Sequence, residues 1–282
     1  MDFERKKSVE WYDPKQLANT GIKAVISGIF GNFNDKREIL AALFQDSDKD
    51  PIDYSQYKDE IWIDYISDTG DGFDATFSMA SLLAKDELEA DGHKIPRAKL
   101  LIMGGDQVYP TATRQEYKNR LQGPYETALP TDPSDPDGKN APHLFAIPGN
   151  HDWYDGLATF IKVFCQKRSI GNWRTVQTRS YFALKLPGDV WLFGIDVQLS
   201  SDVDFNQIQY FEKILEKKVT DGSRIILCTA EPAWVYATSK KPDSYNNLKH
   251  FEKNILGANS KFKDRDIRTI LTISGDLHHY SR

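Results

Sequence analysis

Four short stretches of this chain carry side chains that hold metal ions or move protons. They are Asp68-Thr-Gly-Asp-Gly72, Gly104-Gly-Asp-Gln-Val-Tyr109, Gly149-Asn-His-Asp152 and Gly275-Asp-Leu-His-His-Tyr280. Each follows a short apolar run. A single Asp after a strand is usually a turn former or a helix cap. Four such junctions, all with oxygen or imidazole donors, point instead to convergence on metal. The chemistry such a centre suits is hydrolysis of a phosphate ester. That reaction needs an activated water and a way to spread charge over the transferring group, and two neighbouring metals supply both. Asp106 is a candidate bridge between two ions. Asp68 and His278 are placed to complete one shell, and Asn150 offers an amide oxygen to the other. His151 is a candidate proton donor to the leaving group, with Asp152 beside it to orient the ring.

The elements that must position these residues are strands. Apolar runs at about 60–67, 99–103, 144–147, 225–228 and 269–274 are short and bounded by Gly or Pro, as buried strands are. In open α/β sheets, ligands bind outside the carboxyl ends of strands. Helices are expected near 75–84, 113–121, 156–167 and 204–218, the last capped by Asp202, and a hairpin turns at Pro187-Gly-Asp189. Proline-rich residues 122–142 read as a mobile flap. Strands alternating with helices imply an α/β domain with a mixed sheet.

Before these lies an N-terminal helical extension, residues 1–50, and residues 51–282 form the main domain. Residues 14–33 put Ile22, Val25, Ile26, Ile29, Phe30 and Phe33 on one helical stripe with Leu17 nearby. A helix packed on the domain is the simpler reading. A docking or membrane-surface helix is the sharper one, which the sparse Lys15 and Lys23 weaken. A second helix is expected over Lys36–Phe44.

The chain's 282 residues are enough for one large domain, and a net charge of -5 argues against bulk nucleic-acid binding. Cys165 and Cys228 read as buried free thiols. No signal peptide or membrane-length apolar run is visible, so a cytoplasmic setting is the default expectation.

In order, Asp68-Thr-Gly70, Gly105-Asp-Gln-Val-Tyr109, Gly149-Asn-His-Asp152 and Gly275-Asp-Leu-His-His-Tyr280 resemble the motifs of the calcineurin-like metallophosphoesterases. Among these the set is most similar to that of the purple acid phosphatases: DxG, GDxxY, GNH(D/E), VxxH and GHxHxY. The resemblance spans residues 68–280. It implies a four-layer αββα sandwich, two mixed β-sheets flanked by helices, with a dinuclear site at strand ends. Carried over by position, Asp68, Asp106, Tyr109 and His278 hold one metal, Asp106 bridges, and Asn150 holds the other. Two departures fall on the second metal. Ala230 stands where the VxxH histidine aligns, and Asp276 replaces the first His of GHxH. Glu231 and Asp276 are candidates to supply oxygen instead, favouring Mn or Mg over Zn. The alternative is that the second site is weak or empty.

The expected cofactors are two divalent or trivalent metal ions, among Mn, Fe, Zn and Mg, with Mn favoured. The expected function is hydrolysis of phosphomonoesters or phosphodiesters by metal-bound hydroxide. The alternative is a degenerate member that binds a ligand or partner without turnover. Family members continue with further strands, so the chain also reads as a fragment whose last strand lies near an uncovered edge. Smaller questions attach to Asp71, His93, His143, His250, His279, Trp153, Tyr154 and Trp234. Asp71 reads as a turn residue, His250 as a surface helical residue, and the three aromatics as either core or pocket wall.

Overall fold

Leu100-Leu-Ile-Met103 is apolar at every position, and the strand it forms is buried on both faces. Alternate side chains divide between two cores. Leu100 and Ile102 face a second sheet together with Phe145, Phe182, Leu184 and Leu192, whereas Leu101 and Met103 face helices with Leu144, Tyr117, Phe160 and Phe164. The period of two along a strand produces this division. A third core lies on the far side of the second sheet, where Trp191, Phe193, Ile225 and Leu227 meet Phe211, Ile214, Leu215 and Phe251. The layers are therefore helix, sheet, sheet, helix.

A computed structural model describes residues 2–30, 37, 51–57, 60–135, 138–197, 203–238, 246–257 and 260–278. Its strands are β1 Ile52–Asp53, β2 Ile63–Ile66, β3 Glu87–Ala90, β4 His93–Pro96, β5 Leu100–Met103 and β6 His143–Ala146. They continue with β7 Ser169–Ile170, β8 Trp173–Thr175, β9 Phe182–Lys185, β10 Val190–Gly194, β11 Arg224–Cys228 and β12 Arg268–Ile273. The helices are α1 Pro14–Phe30, α2 Phe73–Leu83, α3 Arg114–Glu116, α4 Gly123–Ala128, α5 Asn150–Trp153, α6 Ala158–Phe164, α7 Phe205–Lys217, α8 Ala233–Thr238 and α9 Asn246–His250. A π-helical segment, Tyr117–Gln122, joins α3 to α4.

One sheet has the order β2-β5-β6-β8-β7 and the other β1-β9-β10-β11-β12. Both are mixed. β2, β5 and β6 run parallel, with Ile66 opposite Met103 and Met103 opposite Ala146. β11 and β12 also run parallel, with Cys228 opposite Ile273. Each sheet thus brings the carboxyl ends of its motif-bearing strands level with one another.

Several expectations change. The flap at 122–142 contains α4, where Gly123, Pro124 and Tyr125 are buried. The helix at 204–218 is capped by Asp204, whose carboxylate accepts from Gln207 N–H at 3.0 Å; Asp202 lies outside the described residues. The hairpin β3–β4 turns on Asp91-Gly92, a pair suited to positive φ. Cys165 and Cys228 are buried and free.

The N-terminal helix forms, but it is turned over. It docks through polar atoms: Lys23 Nζ donates to Thr111 Oγ1 at 3.0 Å and Ser27 Oγ to the Trp153 carbonyl at 2.8 Å. Leu17, Ile22, Val25 and Ile26 face solvent. The side chains of Ile29 and Phe30, with Phe33, most of Lys36–Phe44, His279 and Tyr280, lie outside the description. Among the described strands β12 lies at a sheet edge, and Ile270, skipped at a break in its register with β11, and Leu271 are both half exposed. Among the described residues no helix is long and apolar enough to cross a membrane.

Candidate metal centre

Each motif residue sits just beyond a strand: Asp68 after β2, Asp106 after β5, Asn150 after β6, Glu231 after β11, and Asp276 and His278 after β12. The two sheets close on each other at this edge. The Asp276 N–H, after β12, donates to Asp68 Oδ2, after β2, at 2.9 Å, while the Gly275 N–H donates to the Ala230 carbonyl at 3.2 Å within one sheet. Close approach explains two glycines. A Cβ on Gly149 would collide with the Asp106 carboxylate, and one on Gly275 would lie 2.6 Å from Asp68 Oδ2.

Tyr109 is the hub. Its hydroxyl lies 3.0 Å from Asp68 Oδ1, 3.2 Å from Asp106 Oδ2 and 3.0 Å from His278 Nε2. His278 Nε2 is also 3.5 Å from Asp68 Oδ1. Three sequence-distant segments thus meet at one phenol. Burial, and then the Asp106 and Asp68 charges, push the Tyr109 pKa up. Asp106 is almost wholly buried, and its other oxygen accepts the His151 N–H at 2.9 Å. Its pKa is raised well above the usual range by burial, reinforced by the charges of Asp152, Asp68 and Asp276.

The His151 ring is oriented by backbone. Nδ1 lies 2.7 Å from the Pro110 carbonyl. A carbonyl only accepts, so Nδ1 carries the proton and Nε2 is left for exchange. Burial lowers the pKa of the ring. Asp152 was expected to orient this imidazole; its oxygens are occupied elsewhere. One accepts the Tyr117 hydroxyl, and the other accepts the N–H groups of Gly149 at 2.9 Å and Gln107 at 3.3 Å. Asp152 therefore ties the loop after β5 to the loop after β6.

Asn150 Nδ2 donates to the Tyr154 hydroxyl at 2.9 Å, and the Tyr154 ring lies 4.9 Å from that of His151. Tyr154 thus belongs to the site. Trp153 belongs to the core, where Nε1 donates to Asp196 Oδ1 at 3.1 Å. Asp276 Oδ2 accepts the Tyr236 hydroxyl, and Glu231 lies near enough for its charge to help raise the Tyr236 pKa, after burial and Asp276. Ala230 packs in the core between the sheets. Trp234 packs against the core beneath β10 and β11. His250 is exposed and bonds Asn254, and His93 is exposed on β4. His143 pairs with the Tyr54 hydroxyl at 2.5 Å, on the opposite end of β6 from Asn150. Asp71 accepts the Val9 N–H at 3.1 Å.

Tyr117, Tyr236 and the Pro110 carbonyl have no mark in the sequence, whereas Tyr154 reads there as core or pocket wall. Tyr154 alone carried a signal, four residues beyond Asn150 on the same helical turn.

The donors fit a divalent cation: carboxylates, a phenol, an imidazole and an amide gathered at one edge, with anionic neighbours acting on a buried carboxylate. Among the described residues, no three His, Cys, Asp or Glu side chains close on one point as they stand. The Tyr109 phenol is the group that joins Asp68, Asp106 and His278.

No curated protein matches the chain. A family model described as calcineurin-like phosphoesterase matches residues 61–280, which include every motif residue placed above. With well over half of its length matched and two mixed sheets flanked by helices, the chain belongs to the calcineurin-like phosphoesterase family.

Proposed function

We propose that this edge hydrolyses a phosphomonoester or phosphodiester with two bound metal ions. The observation that carries the reading is the contact of Tyr109 with Asp68, Asp106 and His278, delivered from three separate strand ends. These four residues would hold the first ion, with Asp106 shared. Asn150, Glu231 and Asp276 would hold the second. A phenol among the ligands supports kinship with the purple acid phosphatase motif set. The oxygen-rich second set favours Mn or Mg. Bound metal would neutralise the phosphate and make water a nucleophile at neutral pH.

The chain supplies the rest. The Pro110 carbonyl fixes the His151 ring so that Nε2 alone meets the substrate. The bond from phosphorus to the leaving oxygen breaks, and water forms the new one. Protonated His151 gives its Nε2 proton to the leaving oxygen and is reprotonated from solvent. Asp152 acts one step back, holding Asp106 and His151 in register through the loops that carry them.

A degenerate, non-hydrolytic binder is the second reading. It is favoured by Ala230 in the core and by the engagement of Asp276 with Tyr236.

The test is metal analysis joined to assays on p-nitrophenyl phosphate and bis-p-nitrophenyl phosphate, with Mn²⁺ added. His151→Ala should lower turnover by about a hundredfold, the usual size of a lost general acid, with metal content near wild type. Glu231→Ala and Asp276→Ala should weaken the second binding step. No turnover in a metal-loaded wild type selects the binder reading.

A further inference from the structure

The N-terminal arm, residues 2–13, is built into the domain. Phe3 stacks on Phe73 at 5.8 Å between ring centroids. The Glu4 N–H donates to Asn119 Oδ1 at 2.9 Å. The Lys6 carbonyl accepts the Phe73 N–H at 2.8 Å, and the Lys7 carbonyl accepts Arg120 Nη1 at 2.8 Å. The Val9 N–H is held by Asp71. This chain of contacts ends at Trp11. Its ring lies edge-on to Tyr109 at 5.5 Å and to His151 at 5.9 Å.

The indole remains 38% exposed, and Tyr12 beside it is almost fully exposed. A shallow, open hollow lies on this turn, lined among the described residues by Val9, Glu10, Trp11, Tyr12 and Asp13. A fixed arm that holds a part-exposed indole against the proton-exchanging histidine has more the character of a binding wall than of core packing.

We propose that Trp11 forms the leaving-group subsite and that the preferred substrates carry an aromatic group on the leaving oxygen. This rests on the hydrolase reading. Nδ1 of His151 is committed to Pro110, so the leaving oxygen must lie at Nε2. The group attached to that oxygen then lies within reach of the indole that touches the same imidazole. A flat ring gains aromatic contact with Trp11 that a saturated ring of the same bulk does not.

The test compares benzyl phosphate with cyclohexylmethyl phosphate, whose charge and bulk are alike, and reads the change in their ratio between wild type and variant. The full chain is used, metal-loaded, as wild type, Trp11→Ala and Trp11→Phe. Wild type should prefer the benzyl ester in kcat/KM by about three- to tenfold. Trp11→Ala should bring that ratio close to one, mainly through KM, and Trp11→Phe should keep most of it. Equal use of both esters by wild type, or a preference that survives Trp11→Ala, overturns the subsite. If wild type hydrolyses neither, the hydrolase reading fails separately, and calorimetry with benzylphosphonate and cyclohexylmethylphosphonate decides the subsite. Tighter binding of the aromatic phosphonate that Trp11→Ala abolishes supports it. Equal affinities overturn it.

Discussion

Asp152→Ala separates a clamp from a catalytic partner. The carboxylate is fully buried, and its acceptors serve Tyr117, Gly149 and Gln107, while the His151 ring turns to Pro110. Alanine leaves three buried donors without an acceptor. Each unsatisfied group costs about 1–3 kcal/mol, and entry of a water relieves part of the sum, so the expected loss is about 3–5 kcal/mol. That is a large share of the roughly 5–15 kcal/mol by which a domain is stable. Asp152→Asn behaves differently. Its amide oxygen can accept both backbone N–H groups while its NH₂ donates to the Tyr117 oxygen, so the loss falls to about 1 kcal/mol, one ordinary hydrogen bond. The assay is urea unfolding of metal-free protein beside turnover of the metal-loaded form. The alanine variant should unfold much more easily, and the asparagine variant should keep near-wild-type stability and turnover. An asparagine variant with wild-type stability but turnover lowered a hundredfold would refute the clamp and restore Asp152 as a partner of His151.

Two further outcomes follow from buried charge and open edges. Burial raises the Asp196 pKa to about 6, against the pull of Arg37 and Ser180, from a reference of 3.8. A raised carboxyl pKa means that the folded state holds the extra proton between these values. Wild type should therefore lose about 2 kcal/mol relative to Asp196→Asn as pH rises from 4 to 6.5 in chemical unfolding; parallel profiles would contradict the assignment. On β12, an edge among the described strands, Ile270 and Leu271 are both half exposed. Light scattering should show concentration-dependent association that Ile270→Lys reduces, and unchanged association would place the sticky surface elsewhere.

The strands that carry the motifs are legible because they are apolar runs too short for a helix that break off at small or polar residues, as at Leu100–Met103. The ligand candidates are legible because their side chains are chemically distinctive and follow those runs. Other features leave no comparable mark. The Pro110 carbonyl is backbone, and any residue type carries one. Trp11 lies about a hundred residues from Tyr109 in sequence, so only the folded arm reveals the contact. The stripe of α1 misleads for a physical reason. Apolar faces usually turn inward, yet here Lys23 and Ser27 find partners on the domain and Leu17, Ile22, Val25 and Ile26 are left outside. The hairpin β3–β4 was hidden by polar flanks, although Asp91-Gly92 is a turn pair.

The backbone at the site explains why these strands end as they do. Asp68, Asp106, Asp276 and His278 have φ of 60°, 49°, 75° and 49°, in the left-handed region that residues with a Cβ avoid. Such positions cost about 1–3 kcal/mol each and persist where the surroundings hold them. The bend at Asp276 coincides with the reach of its own N–H to Asp68, and the bend at Asp106 with the reach of its carboxylate to the His151 N–H. A second cost, the crowding of Asp106 by Asp68, Asp152 and Asp276, is electrostatic. The two behave differently when a cation arrives. Positive charge relieves the crowding and leaves the bends alone, because they are fixed by hydrogen bonds between the loops and by glycines that admit close approach. In the proposed centre the placement of the candidate ligands would therefore belong to the scaffold, and the binding energy of an ion would come from charge already gathered there.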